Sequence, residues 1–156
     1  SALKADFNFG QFLQAENLPA SLFTVRQILA EGGAASGDIL GFFLFRIFAA
    51  MSGILGPKSL EGSIFMTETN YKNFEVGLDT LQHLMEDGAV RVYDRFLVAR
   101  AKGQGLHFQI DGQRDQRALV RLACMMRAFD SKAGAEVAAA WRRLAEPRRN
   151  RLVDFL

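Results

Sequence analysis

Residues 39–55 constrain the fold of this chain more than any other stretch. They read Ile-Leu-Gly-Phe-Phe-Leu-Phe-Arg-Ile-Phe-Ala-Ala-Met-Ser-Gly-Ile-Leu, and no helical face of that run is polar. A helix apolar on every side belongs in the middle of a globular core or in a membrane. The uninterrupted window is shorter than the roughly 20 residues a span requires. It also carries Arg46 mid-way, which would cost about 2.5–3.5 kcal/mol at a bilayer centre. We therefore expect no membrane span and a buried central helix over about 37–55. Ser36 would be its N-cap, Asp38 would favour its first turn, and Gly56-Pro57 would end it. A buried guanidinium stays charged and needs a carboxylate or several carbonyls. Arg46 is accordingly either a satisfied core arginine or a buried anion contact, with Glu75 and Asp79 as candidate partners.

The rest of the chain is also helical in its spacing. A short helix is expected from about Gly10. Asn17-Leu18-Pro19 opens another, with Leu22, Val25, Ile28 and Leu29 on one side and Gly32-Gly33 as its stop. Residues 59–66 suggest a short helix weakened by Gly62. After the capping residues of Thr67-Glu-Thr-Asn, residues Tyr71, Phe74, Leu78, Leu81 and Met85 form an apolar stripe that ends at Asp87-Gly88. Val90, Tyr93, Phe96 and Leu97 continue into a helix closed by Gly103 and Gly105. Residues 106–110 alternate, but one strand lacks a partner, so they read as an extended connector. Asp111 would cap a helix to Phe129, Asp130 or Ser131 one to about Ala145, and Pro147 would open the last. The fold class is all-α: a single domain over 1–156, either a multi-helix bundle or a short helical-hairpin array around the central helix. With no initial Met and abrupt ends, it reads as a domain excised from a larger protein.

Fourteen Phe stand against 2 Tyr and 1 Trp. Phe has no polar tip, so it belongs in a packed core or in an apolar groove for lipid or peptide. Cys124 is the single cysteine and sits in an apolar helical context. It is expected as a small buried hydrophobe in a cytoplasmic or otherwise intracellular domain.

Charge is split between the halves. Residues 1–90 hold 5 basic and 10 acidic side chains, while residues 91–156 hold 14 basic and 7 acidic. At 100° per residue, Arg114, Arg117 and Arg121 share one side of their helix, opposite Leu119, Leu122, Ala123, Met126 and Phe129. Arg142 and Arg143 follow, then Arg148, Arg149 and Arg151. Arg suits planar contact with carboxylate or phosphate. These eight residues are the expected partner-binding face, with an acidic protein surface as the favoured partner. Nucleic acid is the weaker candidate because no stacking aromatics interleave with them.

Nothing in the sequence carries a catalytic signature. His83 and His107 have no metal-ligand cluster around them, and phosphate loops, dinucleotide fingerprints and nucleophile elbows are missing. We expect no cofactor and no metal. The expected function is a non-enzymatic interaction or scaffold module. The alternatives are an apolar-ligand or lipid-binding domain, and an enzyme with scattered catalytic groups. The sequence leaves the oligomeric state open.

Overall fold

The computed structural model describes residues 7–17, 19–53 and 67–156. Its helices follow the punctuation of the sequence closely. Helix α1 (Phe9–Leu13) is capped by Asn8, whose side chain accepts the Gln11 N–H. Helix α2 (Pro19–Gly32) opens on its proline. At Gly33 the backbone turns left-handed, φ +54°, and a 3-10 turn (Gly33–Ala35) leads into α3 (Ser36–Gly53). Ser36 is not an N-cap. Its own backbone is helical, and its hydroxyl lies against the carbonyls of Leu29 and Gly33.

Helix α4 (Glu68–Gln82) is capped by Thr67. After a break at His83 come the single turn α5 (Leu84–Asp87) and then α6 (Ala89–Gly103). Gly105, at φ +64°, closes α6 by letting the Leu106 N–H reach the Ala101 carbonyl at 2.8 Å. The connector 106–110 is irregular and runs into a turn closed by the Gly112 N–H on the Gln109 carbonyl at 2.9 Å, and no strand occurs among the described residues. Helix α7 (Arg114–Met125) is shorter at both ends than expected. Asp111 does not cap it: φ there is +60°, and its N–H donates to Asp94 Oδ2 at 3.2 Å. At the other end Arg127 turns left-handed. Asp130 caps α8 (Ser131–Arg143), and Pro147 lies in the first turn of α9 (Glu146–Phe155). The short helix expected at 59–66 lies outside the described residues.

The architecture is an all-α bundle, and its centre is α6. That helix packs on α2, α4, α5 and α7. It buries Val92, Tyr93, Phe96 and Leu97 completely. Around it stack the rings of the first segment, with Phe12 4.5 Å from Phe96 and Phe9 5.0 Å from Phe74 between centroids. A smaller cluster of Ala123, Ala128 and Val137 joins α7 to α8.

The expected buried central helix over about 37–55 is corrected on this point. In α3 only Phe43 is buried, and Phe42 and Phe45 are 70% and 67% exposed. A helix without a polar side gives no signal about which way it faces, and α6 already fills the centre. Helix α3 instead lies along the outside, held by Phe43 against Phe7 and by Phe48 edge-on to Phe74.

Candidate interaction site

The outward position of α3 opens a groove between it and α4. From α3 the wall is Gly37, Leu40, Gly41, Leu44, Phe45 and Phe48; from α4 it is Tyr71, Phe74, Glu75, Leu78, Asp79 and Gln82. Both sets follow the same spacing: i, i+3, i+4, i+7, i+8, i+11. At 100° per residue each covers an arc of about 140°, so the two helices offer matching faces to one trough. Its volume is about 750 Å³, and it is open along its mouth. The edge contact of Phe48 on Phe74, 5.4 Å between centroids, joins the two walls.

The walls differ in chemistry. The α3 wall is wholly apolar, and open space lies in front of Gly37 and Gly41, which have no Cβ to fill it. A second backbone can therefore approach α3 closely there. The α4 wall has an apolar floor, Phe74 and Leu78, and an exposed acidic edge, Glu75 and Asp79. Two turns before Glu75, Glu68 is held below the usual carboxylate range by its hydrogen bond from Lys72, whose own pKa is raised by the same contact. Glu75 and Asp79 carry no such partner among the described ion pairs.

Arg46 does not belong to this groove. It turns to the far side of α3, is exposed, and lies 5.9 Å from the Phe43 ring centre. The expected buried anion contact is thus corrected: α3 is peripheral, so its arginine reaches water without a carboxylate.

The expected stripe of Arg114, Arg117 and Arg121 is also corrected as a free surface. It runs inward. Arg114 is exposed and pairs with Asp154 at 3.2 Å, tying α7 to α9. Arg117 donates to Asp94 Oδ2 at 2.7 Å, and that carboxylate is 1% exposed. Arg121 is 4% exposed, bonds the Ala15 carbonyl, and lies over the Tyr93 ring. Ala118, Val120 and Cys124, all buried, flank it. Of the face expected to pack, Ala123 is buried and Leu119 and Leu122 pack against its cluster, whereas Met126 and Phe129 are exposed. The smaller residues permit the closer packing that α6 and the Ala15 turn require. The other five expected residues remain on the outside. Arg142, Arg143, Arg148 and Arg151 are exposed, Arg149 is half-buried, and none forms an ion pair among the described residues.

Beneath this ladder lies a buried polar seam. Burial pushes the Tyr93 hydroxyl up to about 12, against the opposing pull of Arg121. Gln104 donates to the Ala128 carbonyl at 3.0 Å and approaches Cys124 Sγ at 3.4 Å. His83 and His107 are both exposed, and the His83 ring lies 3.7 Å from the Glu86 carboxylate. No grouping of His, Cys, Asp and Glu that could hold a metal occurs among the described residues. By length and composition alone, the stretch Pro19–Gly53 is long and apolar enough to cross a membrane.

A family match runs over residues 2–156, from before α1 to the end of α9. The chain belongs to the family of unknown function DUF6829. No curated protein and no solved structure matches it. The DUF6829 match takes in both walls of the groove and the arginine-bearing helices α7, α8 and α9.

Proposed function

We propose that this DUF6829 domain is a non-enzymatic interaction module whose groove between α3 and α4 receives an amphipathic helix with basic flanks. One observation carries this reading. An apolar wall with the exposed ring of Phe45 faces an acid-edged wall, and both follow the period of a helix. A helix laid in a groove anchors itself through residues at i, i+3, i+4 and i+7. Covering Phe45, which is 67% exposed, supplies most of the driving force, up to about 1.5–3 kcal/mol for a large side chain fully removed from water, and Leu40 and Leu44, already half-buried against the core, add less. Glu75 and Asp79 then select Lys or Arg on the incoming helix and set its orientation more than its affinity.

Two rivals have less behind them. A small apolar ligand is normally enclosed over some 70–90% of its surface, whereas this trough is open along its mouth. An enzyme would gather Arg46, His83 or His107 beside carboxylates in a cleft, and all three are exposed. A bilayer surface is the remaining competitor for the phenylalanines. The acidic edge works against it, because the cytoplasmic leaflet is itself negative.

The test is a titration with a fluorescein-labelled synthetic helix bearing Leu at i, i+3, i+4 and i+7 and Lys on its flanks. Saturable binding is expected, weakened about tenfold or more, roughly 1.4 kcal/mol, by Phe45→Glu or by replacing the peptide's Lys with Glu. Equal binding of the acidic peptide would overturn the reading. So would co-sedimentation with phosphatidylcholine–phosphatidylserine vesicles in place of peptide binding.

A further inference from the structure

We infer that the helix this groove receives is α9 of a second copy of the same chain. The inference rests on the groove's reading as a helix receptor and names its occupant. Four residues of α9, Arg148, Arg151, Leu152 and Phe155, stand at i, i+3, i+4 and i+7, the spacing that a groove of this kind engages. Phe155 is 81% exposed, and no residue of α9 is buried. An aromatic left in water at the end of a helix is an anchor without a pocket. The groove is a pocket without an anchor.

Charge and length agree with the pairing. The groove's acidic edge, Glu75 and Asp79, meets the two arginines that lie on the same side of α9 as Phe155. The split of charge between the halves of the chain, net negative before residue 91 and net positive after it, then becomes the complementarity of two surfaces. The groove wall runs over 12 residues of α3, from Gly37 to Phe48, about 18 Å at a rise of about 1.5 Å per residue. Helix α9 has 10 residues, about 15 Å on the same rise.

Its own copy of α9 is engaged elsewhere. That helix packs on α7 and is held there by Arg114 through Asp154 and the Val153 carbonyl. At 100° per residue Asp154 stands about 120° from Arg148, about 100° from Phe155 and about 60° from Arg151, so the anchorage borders the docking face, and Arg148, Leu152 and Phe155 point away from it. The pairing can close reciprocally, each copy's α9 in the other's groove, as a two-fold dimer, or continue head-to-tail into a ring or chain of copies.

Sedimentation velocity on the full chain over roughly a hundredfold range of concentration tests this. The weight-average sedimentation coefficient should rise with concentration and fall back as salt is added. Two charge-reversed proteins, Glu75→Arg/Asp79→Arg and Arg148→Glu/Arg151→Glu, should each associate at least about tenfold more weakly, and mixing them should restore association. All four positions are exposed, so circular dichroism should show both variants folded. A wild-type chain that stays monomeric while the synthetic Leu/Lys helix still binds would overturn the second copy as occupant and leave the groove's function standing. A monomeric chain that also ignores the synthetic helix would overturn both. Association unaffected by either reversal, or not restored on mixing, would equally reject α9 as the occupant.

Discussion

Tyr93 and Arg121 converge on one acceptor, the carbonyl of Ala15. The Tyr93 hydroxyl donates at 3.0 Å and Arg121 Nε at 3.2 Å, while the guanidinium lies 5.8 Å from the centre of the Tyr93 ring. Ala15 itself is left-handed, φ +55°. Its carbonyl is thereby turned toward both donors. One point thus binds the turn after α1 to the central helix and to α7, across 106 residues of sequence. This is why the arginine row of α7 is part of the scaffold.

The three arginines of that row should behave unequally. Arg121→Glu puts a carboxylate beside a carbonyl oxygen in the interior, and should cost about 3–5 kcal/mol, as breaking a buried charged contact does. Arg114→Glu, whose pair with Asp154 is about 70% exposed on both sides, should cost no more than about 1 kcal/mol. Thermal unfolding followed by circular dichroism measures both. Similar shifts for the two would contradict the inward course of the row.

Alkali should weaken the same junction. The neutral phenol is favoured in the fold, with Tyr93 pushed up to about 12. An unfolded tyrosine ionises near 10, so the folded state holds its proton longer. The resulting stability is fully present below pH 10 and is lost as pH rises through 12. Tyr93→Phe should cost about 1–2 kcal/mol at neutral pH for the lost hydrogen bond. The gap between the two proteins should close over pH 10–12 in urea titrations. A gap that stays constant through that window would contradict the assignment.

Phe96 and Phe45 separate the true centre from the apparent one. Phe96→Ala, at a ring with no exposure, should cost about 3–5 kcal/mol. Phe45→Ala should cost less than about 1 kcal/mol, because most of that ring is already in water. Equilibrium denaturation of the two variants decides it, and equal losses would return α3 to the core.

Gly134 is required by a close approach. A methyl group there would overlap the carbonyl oxygen of Gln104, where α8 meets the end of α6. Gly134→Ala should destabilise by about 1–3 kcal/mol, as overpacking does. Gly103→Ala, with open space at its Cβ, should be neutral or slightly stabilising. The comparison is read from denaturant midpoints.

Much of the fold was legible in the sequence because it is written in local signals. Pro19, Thr67, Asp130 and Pro147 start helices where capping chemistry puts them, and Gly105 ends one. The stripe of Tyr93, Phe96 and Leu97 marks α6 as amphipathic, although Val90, expected with them, is 43% exposed. Where spacing misled, the missing information was tertiary. Residues 39–55 have no polar side, so periodicity could not say which face would meet a neighbour. In α7, Cys124 is buried as expected, but the row of Arg114, Arg117 and Arg121 was placed opposite the core, whereas Arg121 is buried beside Ala118, Val120 and Cys124 and bonds the Ala15 carbonyl. The groove had a signal that single-helix reading passes over. Residues 37–48 and 71–82 repeat one spacing, and Glu75 and Asp79 fall on it. Those two carboxylates were expected to satisfy Arg46, whereas they edge the trough.

The central claim is that the groove, rather than the arginine-rich end, receives a basic helix. The most direct measurement is an amide chemical-shift titration of the 15N-labelled protein with the unlabelled Leu/Lys helix. The groove account predicts that Gly37 and Gly41 shift first, together with residues 71–82, while the amides of Arg142, Arg143 and Gly134 hold still. Shifts confined to α8 and α9, with Gly37 and Gly41 unmoved, would contradict it.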